Sequence, residues 1–137
     1  MPRLAYEDAD AAIRFLTEAY GFSETARFAP GGQVVHAEIA LHDETLFAVG
    51  TASSAVASPR KSGSNTVQLF CYVDDVDAHF ERAKTHGAEI LSAPQDQPWG
   101  DRSYDTLDIE GHRWTFRKHV QDVPLDELLA KLGNNLR

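Results

Sequence analysis

The chain has a single cysteine, Cys71, so no disulfide can form within it. Cys71 lies in the apolar run Leu69-Phe70-Cys71-Tyr72-Val73, the setting of a buried structural thiol and not of a reactive one. Basic residues are also in short supply, 13 against 21 acidic ones for a net charge of −8, and the one compact basic cluster is Arg60-Lys61. Affinity for nucleic acid draws on clustered Lys and Arg that displace counterions, so this balance argues against a nucleic-acid partner. No apolar run approaches the roughly 18 to 20 residues that span a bilayer. Met1-Pro2-Arg3-Leu4 does not open the apolar segment of a secretory signal. The expectation is a cytoplasmic protein with no membrane partner.

What the chain does have, it has twice. Asp8-Ala-Asp10-Ala-Ala-Ile-Arg-Phe15, closing at Gly21, returns as Asp75-Val-Asp77-Ala-His-Phe80-Glu-Arg-Ala83, closing at Gly87. The period of 66 to 67 residues is about half of the 137-residue chain, which marks a duplicated supersecondary unit.

Each copy begins with an apolar strand, Leu4 to Tyr6 and Val67 to Val73. An acidic N-cap follows, Asp8 or Asp10 in the first copy, whose carboxylate can accept an amide bond from the first helical turn. Ala12, Leu16 and Ala19 form one helical stripe, repeated by Val76, Phe80 and Ala83, and Gly21 and Gly87 supply the left-handed stop. The period then changes to two. Val35, Ala37, Ile39 and Leu41 alternate with His36, Glu38, Ala40 and His42, so one face is apolar and the other largely polar. Glu89 to Leu91, Tyr104 to Leu107 and Arg113 to Arg117 complete the second copy. The expected fold class is α+β, two βαβββ units forming an open U-shaped mixed sheet with helices outside. The domain covers residues 1–120, with units at about 1–50 and 66–118. Residues 51–65, rich in small polar side chains, read as a linker that is mobile in part. Residues 121–137 read as a C-terminal amphipathic helix, with Pro124 at its start, Leu125, Leu128, Leu129 and Leu132 on one stripe, and Gly133 at its stop.

With this plan, Tyr72-Val73-Asp74-Asp75-Val76-Asp77-Ala78, Trp99-Gly100-Asp101-Arg102 and Asp108-Ile-Glu-Gly111-His112-Arg-Trp114, the chain resembles the glyoxalase, bleomycin-resistance and extradiol dioxygenase superfamily, over residues 2 to 118. The resemblance implies a sheet curved around a small-molecule cavity, with metal ligands on the first and fourth strands of each unit in the metal-dependent members. Those positions fall on Gln68 and Thr115 in the second unit and at about Met1 and Phe47 in the first. A divalent ion wants three or four His or carboxylate ligands, so no cofactor is expected. A divalent metal stays a minor alternative, through His36 and Glu38.

The candidate site comprises His36 and Glu38 as an acid/base pair, two residues apart on one strand face. Gln68, Phe70, Trp99, Arg102, Tyr104 and Thr115 are the expected ligand-binding residues, with Arg102 able to grip a carboxylate and Trp99 at the cavity mouth. Two functions compete. One is a small-molecule binding protein of the bleomycin-resistance type without the usual catalytic metal. The other is a glyoxalase-like lyase or isomerase acting on a small oxygenated metabolite. A homodimer is expected, because open sheet edges and the leucine stripe call for cover.

Overall fold

In the computed structural model, which describes residues 1–133, the first unit runs β1 (Arg3–Tyr6), α1 (Ala9–Glu18), β2 (Ser23–Phe28), β3 (His36–Leu41) and β4 (Glu44–Thr51). A short helix α2 (Pro59–Ser62) leads to the second unit: β5 (Gln68–Tyr72), α3 (Val76–Thr85), β6 (Glu89–Asp96), β7 (Asp101–Leu107) and β8 (Arg113–His119). The amphipathic helix α4 (Leu125–Leu132) follows. The class is α+β, and the duplication is explicit in the pairing. The sheets have orders β1-β4-β3-β2 and β5-β8-β7-β6, and in each the first strand pairs parallel with the last while the other pairs are antiparallel.

The two main helices start and stop for the same local reasons. Asp8 accepts from the Ala11 amide at 3.0 Å and Asp75 from the Ala78 amide at 3.1 Å, each satisfying an amide that the first helical turn leaves without a backbone partner. Past each helix the chain turns through a glycine at positive φ, Gly21 at 76° and Gly87 at 88°, a conformation that costs a side-chain-bearing residue.

One hydrophobic core serves both units. Tyr6, Leu16, Tyr20, Phe22, Ile39, Phe47 and Val49 of the first unit join Cys71, Val76, Ala83, Tyr104, Trp114 and Phe116 of the second. The rings of Phe47 and Trp114 lie 5.3 Å apart, as centroids, across the seam, and Tyr20 packs on Phe116 at 4.8 Å. Burial pushes the Cys71 thiol up to about 11, which keeps it protonated and unreactive.

Polar bonds also cross the seam. The Tyr6 hydroxyl donates to Asp108 Oδ2 at 2.6 Å, and the Glu110 carboxylate accepts from the amides of Glu7 and Asp8 at 2.6 and 2.9 Å. His112 Nε2 lies 2.9 Å from the Ala5 carbonyl, while Arg82 donates to the carbonyls of Glu18 and Thr17 at the end of α1. The hairpin turn that joins β7 to β8 is therefore sunk into the first unit.

One local expectation changes. The segment read as a part-mobile linker holds α2 and is tied down: Ser58 is fully buried, the Arg60 amide donates to the Glu110 carbonyl at 2.9 Å, and Asn65 donates to the Gly111 carbonyl at 2.8 Å. Its anchors are backbone groups, which small-residue composition does not disclose. In the Trp99-Gly100-Asp101-Arg102 stretch, β7 begins at Asp101.

Candidate functional site

Strand alternation sends neighbouring side chains to opposite faces, and the core decides which face is which. In the first sheet Ala37, Ile39, Phe47 and Val49 turn inward, so His36, Glu38 and Ala48 share the outer face, with Glu38 opposite Ala48 in the ladder. In the second sheet Leu69, Cys71, Trp114 and Phe116 turn to the core. Gln68, Phe70 and Tyr72 therefore lie outward on β5, Thr115 and Arg117 on β8, and Ser103 and Asp105 on β7. Because the inner faces meet at Phe47 and Trp114, the two outer faces point away from each other.

His36 Nε2 lies 3.0 Å from Glu38 Oε2, both partly exposed. The expected pair is in contact and open to solvent. Arg3, at the edge of the same sheet, donates to the Val35 carbonyl at 3.0 Å and passes directly over Gly50, where a Cβ would stand 1.9 Å from its Nη2.

The second outer face is built around Thr115. Gln68 Nε2 donates to Thr115 Oγ1 at 3.0 Å, and Thr115 Oγ1 donates to Asp105 Oδ1 at 2.6 Å, with Arg113 on the other Asp105 oxygen at 3.3 Å. Next to this relay, the Arg117 guanidinium sits over the rings of Phe70 and Tyr72, 5.0 and 4.7 Å from their centroids. Both rings stay more than half exposed, at 55% and 56%, an apolar platform with a cation beneath it. Tyr72, Asp105 and Arg117 were not singled out from sequence, although the period of two that carries Gln68 to Phe70 also reaches Tyr72.

The other expected positions sit elsewhere. Arg102 alternates with Asp101 and Ser103, so it lies on the core side of β7, where it holds Asp77 at the start of α3 through Nε and Nη2, both at 3.0 Å, and Asp96 through Nη1 at 3.2 Å. It braces a helix and is not part of the wall that holds Gln68. Tyr104 is turned the same way and is buried, donating to His79 Nδ1 at 2.6 Å. Phe47 is a core residue opposite Ile39, and the outward position on that strand is Ala48. A one-residue error in register exchanges the faces of a strand. Met1 precedes β1 and is exposed. Trp99, 45% exposed, sits in the turn between β6 and β7. There Gly100, at φ 101°, presses on the Gln121 carbonyl, 1.9 Å from where a Cβ would be.

His36 and Glu38 thus lie on one sheet, Gln68, Phe70 and Thr115 on the other. As a donor set for a divalent ion, the outward residues fit poorly: Gln68 offers only a neutral amide oxygen, Ala48 has no donor, and Arg3 brings a positive charge. Among the described residues, no group of three or more His, Cys, Asp or Glu is placed to hold a metal ion.

The sequence profile of the Glyoxalase/Bleomycin resistance protein/Dioxygenase superfamily matches residues 2–116. The chain belongs to that superfamily. An uncharacterized protein of Mycobacterium bovis is 32% identical over 138 residues, spanning 97% of this chain and 91% of its own. Among solved structures, TioX from Micromonospora sp. ML1 is 34% identical, with a TM-score of 0.70 over 86% of this chain and 95% of that one. TnmS3, an antibiotic binding protein from Streptomyces sp. CB03234, shares 21% identity and a TM-score of 0.66 over 83% and 88% of the two chains. At that identity TnmS3 shows the superfamily fold alone. The superfamily's duplicated unit ends near β8, and α4 lies beyond the matched residues.

Proposed function

We propose that the protein binds a small organic molecule without the usual catalytic metal, and that it does so as a homodimer in which the outer face of one copy's first sheet closes over the outer face of the other's second sheet. The observation that carries this reading is the direction of the faces. His36 and Glu38 point away from Gln68, Phe70 and Thr115 within one chain, so enclosing a ligand between them takes a second copy. The exposed Phe70 and Tyr72 rings over Arg117 offer a flat surface to an aromatic ligand. Gln68 Oε1 and the Asp105 carboxylate accept hydrogen bonds from it, and His36 and Glu38 meet it from the opposite side. Binding sites of this composition, apolar with a few convergent polar groups, are what small-molecule pockets use. The superfamily membership and the antibiotic-binding TnmS3 support the same class of function.

The test is native mass spectrometry of protein purified gently from its source, with release and identification of any copurifying small molecule. A dimer that carries a stoichiometric organic ligand, lost in Phe70→Asp, supports the reading; a ligand-free protein that stays monomeric at micromolar concentration overturns it.

A second reading rests on the 3.0 Å contact between His36 and Glu38. A carboxylate so placed can orient an imidazole, the equipment of a lyase or isomerase that moves a proton on a small oxygenated substrate. Turnover of methylglyoxal–glutathione adducts that disappears in His36→Gln, measured before and after chelation, would favour it over binding alone.

A further inference from the structure

Away from both outer faces, the linker borders a half-open pocket of about 290 Å³, with an apolar side at Val56, Pro59 and Val67, a polar side at Ser62, Ser64 and Asn65, and His112 in its wall. His112 is 5% exposed. Its Nε2 faces the Ala5 carbonyl at 2.9 Å, an acceptor only, so Nε2 carries the proton and Nδ1 of the neutral ring is left as an acceptor. The ring packs edge-on against Tyr6, with centroids 4.7 Å apart. Nδ1 itself is buried and bonds to nothing among the described residues, and the Ser58 hydroxyl in the same linker is in the same condition. Native structures pair nearly all such atoms, and each exception calls for an explanation.

A single water is too small an answer. The pocket has room for more than one water, and the side formed by Val56, Pro59 and Val67 offers water no hydrogen-bond partner. No charged side chain lines the pocket. An ion would lose its hydration there without a counter-charge, which leaves a neutral ligand with an apolar body and one donor.

We propose that the linker pocket above His112 is a second small-molecule site, for a neutral ligand bearing a hydroxyl or amide N–H. The ligand's donor reaches Nδ1 as the small side chains at 55–57 give way, and its body lies against Val56, Pro59 and Val67. The site is independent of the outer-face ligand, since its residues lie on the linker and the β7–β8 turn.

Cyclohexanol and cyclohexanone test this directly, because they match in size and differ in whether they donate. Isotope-labelled protein is titrated with each at mildly alkaline pH, and the His112 Nδ1 nitrogen resonance is followed together with the backbone amides of residues 55–67. Cyclohexanol is expected to shift these signals saturably and to bind at least tenfold more tightly than the ketone. Ala57→Phe, a change at an exposed linker position that fills the pocket and leaves the ring untouched, is expected to abolish the effect. Equal binding of the two probes, binding that survives Ala57→Phe, or no saturable shift from either up to its solubility limit overturns the proposal.

Discussion

The hydroxyl of Tyr104 donates to Nδ1 of His79 at 2.6 Å, while His79 Nε2 donates to the carbonyl of Tyr20 at 2.8 Å. These two bonds fix a neutral imidazole between the units, since both nitrogens are committed to the tautomer that carries its proton on Nε2.

That arrangement has a pH signature. Burial pushes His79 from its ordinary 6.5 down to about 4, against the Tyr20 carbonyl, which favours the protonated ring, and with help from the nearby Arg82 charge. Between pH 6.5 and 4 the unfolded chain therefore binds the proton that the folded chain refuses. The contribution of this group is complete above pH 6.5 and is lost as pH falls towards 4, by roughly 3 kcal/mol at the low end. Asp108, whose pKa is raised chiefly by burial, acts in the opposite sense, so the comparison must isolate His79. Thermal unfolding across pH 4 to 7 should fall less steeply in His79→Phe than in the parent; parallel curves would show that the ring is not held neutral.

Thr115 is the joint of the relay on the second outer face. Thr115→Val keeps the shape, leaves the Gln68 amide and one Asp105 oxygen without a partner, and should cost about 1 to 2 kcal/mol in denaturant unfolding. Under the proposed function it should also weaken ligand binding, which calorimetry reads separately.

Arg102→Ala separates bracing from binding. Its partners Asp77 and Asp96 are exposed, and exposed ion pairs contribute little. The expected result is a small drop in melting temperature with ligand affinity unchanged. A large loss of affinity at constant stability would return Arg102 to the binding site.

Gly100→Ala should be among the most damaging single changes outside the core. It places a side chain at φ 101° and drives its Cβ into the Gln121 carbonyl, at a cost of order 1 to 3 kcal/mol. Hydrogen exchange should rise at the amides of Val120 and Gln121, both of which donate to the Gly100 carbonyl.

The leucine stripe of α4 bears on assembly. Leu125 and Leu129 are 70% and 51% exposed, and each large apolar side chain contributes roughly 1.5 to 3 kcal/mol once covered. Sedimentation should find twice the 15.2 kDa mass of the chain, and Leu128→Asp with Leu132→Asp should shift it towards the monomer with the circular dichroism of the fold retained. An unchanged mass would place the interface elsewhere.

Where structure is local, the sequence discloses it. Asp8 and Asp75, Gly21 and Gly87, and the alternation that carries His36 and Glu38 all act within a turn or a strand. The faces of β7 and β4 were harder, because register sets them: a strand that starts at Asp101 and not at Tyr104 comes into view only with its partner, and a slip of one residue hides Phe47 in the core and brings out Ala48. The contacts of Asp108, Glu110 and His112 are beyond the reach of any local pattern, since their partners Tyr6, Glu7 and Ala5 lie more than a hundred residues away. Two acids in one turn beside a tryptophan were the available sign that this turn is buried.

The bonds across the seam have a consequence for how such a chain can be cut and how it can have arisen. Tyr6 to Asp108, Tyr20 to Thr106 at 3.0 Å, Arg82 to Thr17 and Glu110 to Glu7 join the halves without passing through residues 51–65. A protease that nicks the linker should leave an assembled particle, and the halves expressed as two polypeptides should find each other and fold together. Two separate copies of a half-length ancestor would have met along this same seam, so gene fusion had only to tie together an association already in place.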